Sequence, residues 1–532
     1  VHTPSRARLL RSGFDPAGDR ETTRTGVDLD SVPAQNQPEE CPMRVPSRDL
    51  EHAGSTCVWL GCRLWLVGLV LVWLPAWSLA ADLEVVAGRR QLFFDDVGVA
   101  RREGLERVLH RPEKRGAVVR SPRSAQAMQT RTAPIWDETR QKWLLYVLTT
   151  DENLWESSDG LNWQPLPNPN MRIDMAVRDG RERDPARLFK APLLNRGFAV
   201  SPDGLQWTAV DTPAIGSSDE GNFTLSPTTG LFIHTVKRGG PNGRAVAMAT
   251  STDFRHWTDL GMVFAADELD QELGRQNIEA RLADSTLLPP RFHDPADYRV
   301  DVYNMGVFEY EGQYLGLPAM FHSTGKVPNY PNTDGFHLVQ VVHSRDLKTW
   351  SRVGDRQTFL GPSRVGSGAY DLTQIISPSA PVVRGDELWF YYTGLKWRSS
   401  FDYEGDYPNG KTILLPDRNR DGGAVCLAIL RRDGFVSLAA GKTPGTLKTE
   451  HFRLPAGGLR VNVDAPRGTL RVEVRSGLDQ VLARSALLRG DQPRGEVAWE
   501  TGDLASHVGE SVSLHFELEN GAFYSWWIEP PG

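Results

Sequence analysis

The feature that most constrains this chain is a heptad that returns four times: SSDGLNW (157–163), SPDGLQW (201–207), STDFRHW (251–257) and SRDLKTW (344–350). A worn fifth copy, RRDGFVS (431–437), keeps the Asp and loses both the leading Ser and the closing Trp. The pattern has a physical logic. An Asp side chain accepts backbone N–H groups of the next residues in an Asx turn, Gly supplies a positive φ where it occurs, and Trp offers a large apolar wedge between neighbouring sheets. Successive Trp residues lie 44, 50 and 93 positions apart. Self-similarity near a period of about 45 residues is the mark of a β-propeller in which each repeat is one four-stranded blade. These heptads read as structural corners, and none is assigned to catalysis.

Each corner is accompanied by a segment rich in β-branched and aromatic residues: WLLYVLTT (143–150), ARLFKAPLL (186–194), FTLSPTTGLFIHTV (223–236), VYNMGVFEYEGQYLGL (302–317) and SAPVVRGDELWFYYTG (379–394). Five hairpins and five corners predict five blades over 81–438. The long Trp-to-Trp step contains a polar, Pro-rich insertion (262–298), within which DELDQELGRQNIEARL (267–282) reads as a short surface helix. Residues 439–450, AAGKTPGTLKTE, read as a linker, and the alternating segments that follow predict a β-sandwich over 451–532. The expected fold class is all-β, a five-bladed β-propeller followed by a C-terminal β-sandwich.

The only long apolar run, LWLVGLVLVWLPAW (Leu64–Trp77), follows Arg63 and precedes Ser78 and Ala80, which reads as a secretory signal peptide within 43–80, cleaved before Ala81. The rival is a retained membrane anchor, for which the run is short. Residues 1–42 show no apolar period and read as disordered or as an over-extended reading frame, with Met43 a natural start. Cys41, Cys57 and Cys62 precede the cleavage position, so the mature chain keeps Cys426 alone and its expected fold depends on packing without an internal disulfide. Net charge is -7, with no basic face for a nucleic acid, and no stable membrane partner is expected after cleavage. No HExxH, Cys-rich cluster, phosphate-cradling Gly loop or GxSxG occurs, which argues against zinc proteases, nucleotide enzymes and serine esterases.

The S-x-D-x-x-x-W corners, LFFDDVGVA near the start, RDP at Arg183–Pro185, and DGFVSL with YSWW towards the end resemble the furanosidase-like glycoside hydrolases of families 32 and 43. The resemblance implies an active site where the inner strands begin, at the mouth of the central channel, acting on an oligo- or polysaccharide without an organic cofactor. Glycosidic hydrolysis needs two carboxylates, one protonated and one ionised, and a third often tunes them. On this resemblance Asp184 in RDP matches a transition-state-stabilising Asp, and the acid–base Glu comes from blade three, where Glu220 stands beside Asp219. Glu279 in QNIEARL is a second match for that Glu, and Asp301 and Asp371 open blades four and five. Arg183, His322 and Tyr303, with Trp397, are side chains able to hydrogen-bond or stack on a sugar. No metal site is assigned; HDPAD (293–297) lacks sustained ligand spacing.

Blade one departs from the family. Its Asp-Pro nucleophile or base has no equivalent in RTAPIW, where Thr132 and Ala133 stand instead, unless Asp95 or Asp96 substitutes from a ring-closing LFFDD strand. The reading is therefore an exported glycosidase. Its alternative is a carbohydrate-binding or scaffold propeller without catalysis.

Overall fold

Period-two apolar alternation and the Asp corners assemble five antiparallel blades around one axis. The computed structural model describes residues 83–120, 127–327, 332–398, 405–406, 412–413 and 421–532; the expected signal peptide, Met43 and the first three cysteines lie outside them. Blade one comprises Ile135–Asp137, Lys142–Tyr146, Leu154–Ser157 and Gln164–Pro165, and blade two Val177–Arg178, Phe189–Leu193, Gly197–Ser201 and Thr208–Val210. Blade three comprises Gly221–Leu225, Phe232–Gly240, Gly243–Ser251 and Thr258–Phe264. Blade four has Arg299–Tyr310, Gln313–Lys326, Val342–Ser344 and Ser351–Arg352, with Thr333–Val339 paired beside Gln313–Lys326. Among the described residues no helix is long and apolar enough to cross a membrane.

Blade five is built from both ends of the ring. Gln374–Ile376, Glu387–Leu395 and Gly423–Arg431 are its first three strands, and Glu113–Val119 supplies the outer one. The closing strand is thus not LFFDD. Asp95 instead pairs with Arg345 at 2.8 Å and Asp96 with Arg107 at 2.6 Å, so neither acid replaces the missing blade-one Asp.

The corners join the third and fourth strands of blades one to four. In each, one Asp oxygen accepts two successive backbone N–H groups: Leu161 and Asn162 on Asp159, Leu205 and Gln206 on Asp203, Arg255 and His256 on Asp253, Lys348 and Thr349 on Asp346. The residue after the Asp takes a positive φ whether it is Gly160, Gly204, Phe254 or Leu347. Blade contacts explain the choice. The Gly160 carbonyl accepts the Tyr391 hydroxyl at 2.9 Å and the Gly204 carbonyl that of Tyr146 at 2.8 Å. A Cβ would lie 2.5 Å from the Tyr391 oxygen at Gly160 and 2.9 Å from the Tyr146 oxygen at Gly204. Phe254 and Leu347 meet no such hydroxyl, and burial of their side chains offsets the backbone strain.

The fifth corner is worn because blade five takes its fourth strand, Glu113–Val119, from earlier in the chain, so the third strand has none to turn into. After Arg431 the chain leaves the ring as Val436–Ala440, and Asp433 becomes a buried anchor. Its carboxylate accepts from Arg90 at 2.5 Å, Tyr310 at 2.6 Å, Ser525 at 2.5 Å and Asn462 at 3.3 Å. Tyr310 ends the inner strand of blade four, while Asn462 and Ser525 belong to the C-terminal sheet.

That sheet is a curled, β-sandwich-like layer of twelve strands ordered Val99–Glu103, Gly445–Thr449, Ser511–Glu519, Gly458–Ser476, Gly521–Glu529, Val436–Ala440, Glu106–Leu109, with the rest pairing off this path. The expected linker at 439–450 is a correction: most of it lies in strands Val436–Ala440 and Gly445–Thr449, because its Gly and Pro residues mark the turn between them. Residues 91–109 likewise belong to this layer and not to the propeller. The inserted helix forms as Glu268–Ala283, capped by Asp267 and Asp270. It is not merely superficial: Asp270, Gly274, Ile278 and Arg281 are buried, and Gln271 exchanges two hydrogen bonds with the Val300 backbone.

Two substitutions test this account by urea denaturation. Gly204→Ala is expected to cost about 1–3 kcal/mol, from positive φ and the lost approach of Tyr146. Asp433→Ala leaves Arg90 buried without its partner and is expected to cost about 3–5 kcal/mol.

Candidate functional site

Inner strands of a propeller run in parallel, so their first residues gather at one end of the axis. Blade one brings Arg131 there, blade two Asp174, blade three Glu220, and blade four Asp301 and Tyr303. Arg131 and Glu220 form a buried two-pronged pair: Nη2 donates to Oε1 at 2.7 Å and Nε to Oε2. The Arg131 fork also reaches Gln129 Oε1 at 3.0 Å, which fixes its plane. Blade one's mouth residue is therefore a cation where the family resemblance implies a carboxylate. Thr132 and Ala133 lie beyond it and line a cavity of about 520 Å³ at the other end of the axis.

Asp174 is the acid that sequence reasoning missed. It precedes Val177–Arg178 and is partly exposed, with Arg172 Nε 3.7 Å away. Burial holds its carboxyl above the usual carboxylate range and the Glu220 carboxylate adds to the rise, while Arg172, Arg131 and Arg196 oppose it. The sequence signal was modest: one acid inside the apolar stretch IDMAV (173–177), ahead of the Asp179–Gly180 dipeptide.

Tyr303 stands beside the Arg131–Glu220 pair. Its ring carries Lys237 Nζ 3.9 Å from the centroid and packs against His337 at 4.7 Å. Lys237 donates to Asp219 at 2.6 Å, and burial lowers its pKa. Asp301 accepts from Arg244 Nε at 2.9 and 3.0 Å, and the Arg244 guanidinium lies 5.2 Å from the Tyr303 ring. His337 is fully buried, its Nδ1 facing the Ile375 carbonyl at 2.9 Å; burial, then the cations Arg398, Arg244 and Lys237, push its pKa well down. The neutral imidazole and the alternating charges make a polar rim with little net charge.

Below the mouth the axis is closed. Asn304 Nδ2 donates to Asn222 Oδ1 at 3.0 Å and to the Ser377 carbonyl at 3.2 Å, and Asn222 Nδ2 donates to the Arg131 carbonyl at 3.1 Å. Thr132 Oγ1 reaches the Ala176 carbonyl at 3.1 Å, so all five blades join across the centre.

The structure thus brings Glu220, Asp301 and Tyr303 together and places the other expected residues elsewhere. Asp184 and Arg183 are exposed in the connection that follows blade two's inner strand, at the opposite end of the axis; Asp184 caps the 3-10 turn Pro185–Arg187 by accepting the Ala186 N–H at 2.9 Å. Glu279 is on the solvent side of the inserted helix. His322 is buried between that helix and blade four, its Nδ1 at 3.1 Å from the Met320 carbonyl and its ring stacked on Phe336; burial takes its pKa down to about 4. Asp371 faces sideways from blade five, accepting Lys114 at 2.6 Å and Tyr392 at 2.9 Å. Trp397 packs with Leu288, Val327 and Leu372. In HDPAD, Asp294 caps the turn Pro295–Asp297.

No family model matches the chain, and no curated protein matches it in sequence. It is similar to several solved structures. One is an N-acetylgalactosamine deacetylase from F. plautii in complex with blood group B trisaccharide, 15% identical, with 62% of this chain and 97% of that one covered and a TM-score of 0.36. A GH62 hydrolase in complex with xylotriose is 13% identical over 60% of this chain and 97% of that one, TM-score 0.33. A glycoside hydrolase family 43 arabinoxylan arabinofuranohydrolase from Bacillus subtilis, in complex with cellotetraose, is 10% identical over 76% and 79%, TM-score 0.23. At such distances the chemistry rests on this chain's own residues.

Two stability measurements separate the mouth carboxylates. A carboxyl whose folded pKa is raised destabilises the fold above that pKa and contributes nothing where it is protonated in both states. Asp174→Asn is therefore expected to melt at or above the wild-type temperature at pH 7 and level with it near about pH 3. Glu220→Gln, which deprives buried Arg131 of its anion, is expected to lose about 3–5 kcal/mol at pH 7.

Proposed function

We propose that this protein is an exported glycoside hydrolase acting on an oligo- or polysaccharide at the Arg131–Asp174–Glu220 mouth. The observation that carries the reading is the pairing of unlike carboxyls on adjacent inner strands: Asp174 with its pKa raised, Glu220 fixed by a cation. In this reading Asp174 hands its proton to the leaving glycosidic oxygen, Glu220, oriented by Arg131, faces the positive charge that develops on the sugar, and a water bonds to the anomeric carbon while its proton passes to the Asp174 carboxylate. Tyr303, held by Lys237 and His337, offers the sugar a partly exposed ring edge. Export is proposed from the apolar run Leu64–Trp77 and its flanks.

A specific observation supports a second reading, a carbohydrate-binding propeller without turnover. Both Glu220 oxygens accept from Arg131, which leaves Asp174 as the more available acid.

Reducing-sugar release by the purified protein across a broad glycan panel, with calorimetry on the same glycans, separates the two. Hydrolysis predicts release that drops at least about 100-fold in Asp174→Asn with binding kept, and a rate that falls as pH rises through the Asp174 pKa, because the acid must be protonated. Equal release by the variant overturns the role of Asp174. Binding by both proteins with release by neither establishes the second reading.

A further inference from the structure

Outside the mouth, a cavity of about 700 Å³ lies between blade five and the segment 362–371 that leads into it, and it shares none of Arg131, Asp174, Glu220 or Tyr303. Its size is that of a small-ligand pocket. Lys114, Arg115, Arg120 and Arg364 line it against a single carboxylate, Asp371. On a chain of net charge -7 this is a local inversion of sign, and a concave wall focuses its field on an incoming anion.

The acids nearby are already engaged. Asp371 accepts from Lys114 and Tyr392, and Lys114 also donates to Ser363 Oγ at 2.9 Å, so the buried acid and its half-buried partner form a satisfied floor. Asp421 accepts from Tyr370 at 2.5 Å and Lys396 at 3.1 Å, and Glu113 from Arg115 at 2.9 Å. Arg364 is exposed and lies in the field of Asp284, and Arg120 is exposed, 3.4 Å from the Tyr370 hydroxyl and in the field of Asp421. Two guanidinium forks at the rim are therefore able to turn toward a carboxylate or sulfate, whose planar or tetrahedral oxygens they match better than an ammonium would. Glycine keeps the wall low: at Gly116 and Gly368, both with positive φ, a Cβ would meet nothing within 4 Å.

We propose that this cavity binds a saccharide of one or two units bearing a carboxylate or sulfate, its oxyanion held by Arg120 and Arg364 and its hydroxyls within reach of the Tyr370, Ser363 and Ser367 side chains. The assignment is independent of catalysis at the mouth. Titration calorimetry at low salt tests it on the full chain, with digalacturonate, galactose 6-sulfate, the neutral disaccharide galactobiose and inorganic sulfate as probes. At least one of the two acidic sugars is expected to bind. Its affinity is expected to fall at least about tenfold in Arg120→Ala/Arg364→Ala, to weaken as salt is raised, and to be unchanged in Asp174→Asn. Both arginines are exposed, so the double variant is expected to melt with the wild type. Equal affinity for galactobiose, an undiminished affinity in the double variant, or no binding by either acidic sugar overturns the proposal. So does inorganic sulfate binding as tightly as the sugars, which makes the cavity a free-anion site.

Discussion

The structure depends on how a ring of five blades is closed. Four blades use consecutive strands and turn from the third to the fourth through an Asp corner. The fifth borrows Glu113–Val119, so the chain must arrive before the ring is built and leave after it is complete. Both transits cross the same place, and Asp433 sits there with Arg90 from the arriving segment, Tyr310 from blade four and Ser525 from the departing one. A buried carboxylate with four donors is tolerable because Oδ2 accepts from Arg90, Asn462 and Ser525 and Oδ1 from Tyr310; with these donors missing, its desolvation would go uncompensated. The twelve-stranded layer, assembled from residues on both sides of the propeller, holds the two ends of the ring in one sheet.

At the mouth the same economy of charge applies. Glu220 is matched by Arg131, Asp301 by Arg244 and Lys237 by Asp219. Asp174 is the exception, since Arg172 Nε stands 3.7 Å from it and its carboxyl feels both burial and the Glu220 charge. A rim of satisfied pairs keeps its geometry, and one under-compensated acid within it holds its proton to a higher pH than an ordinary carboxyl does. This division between fixed and protonatable carboxyls is what acid–base chemistry requires.

The corners made the blades legible. They depend on local hydrogen bonds between residues two and three apart, and such contacts leave a signature in any single sequence. Even the worn copy at Asp433 marked a true feature, the exit from the ring. The site was legible only in part. An Asp-Pro dipeptide looks the same before a strand and after it, so Asp184 read as a mouth residue although it follows Val177–Arg178. Asp371 does lie beside the start of an inner strand, but a side chain there can face the axis or the next blade, and pleat direction is set by partners far along the chain such as Lys114. His322 carries sugar-binding chemistry by type, yet the inserted helix that buries it is 45 residues away at Asn277. Asp174 lacked any motif; what distinguishes it is the company of Arg131 and Glu220, which folding alone provides.

The hydrogen-bond lattice of Asn222, Asn304 and the Ser377 carbonyl closes across the axis what is usually drawn as a tunnel. A polymer cannot thread a closed axis, so under the proposed function a glycan must present a terminus or a side branch to the mouth and withdraw by the route it came. On that reading the length of the glycan matters less than the identity of its last one or two units. The rim also sees both the arriving ligand and the departing one, and anything lodged there after a first event obstructs the next.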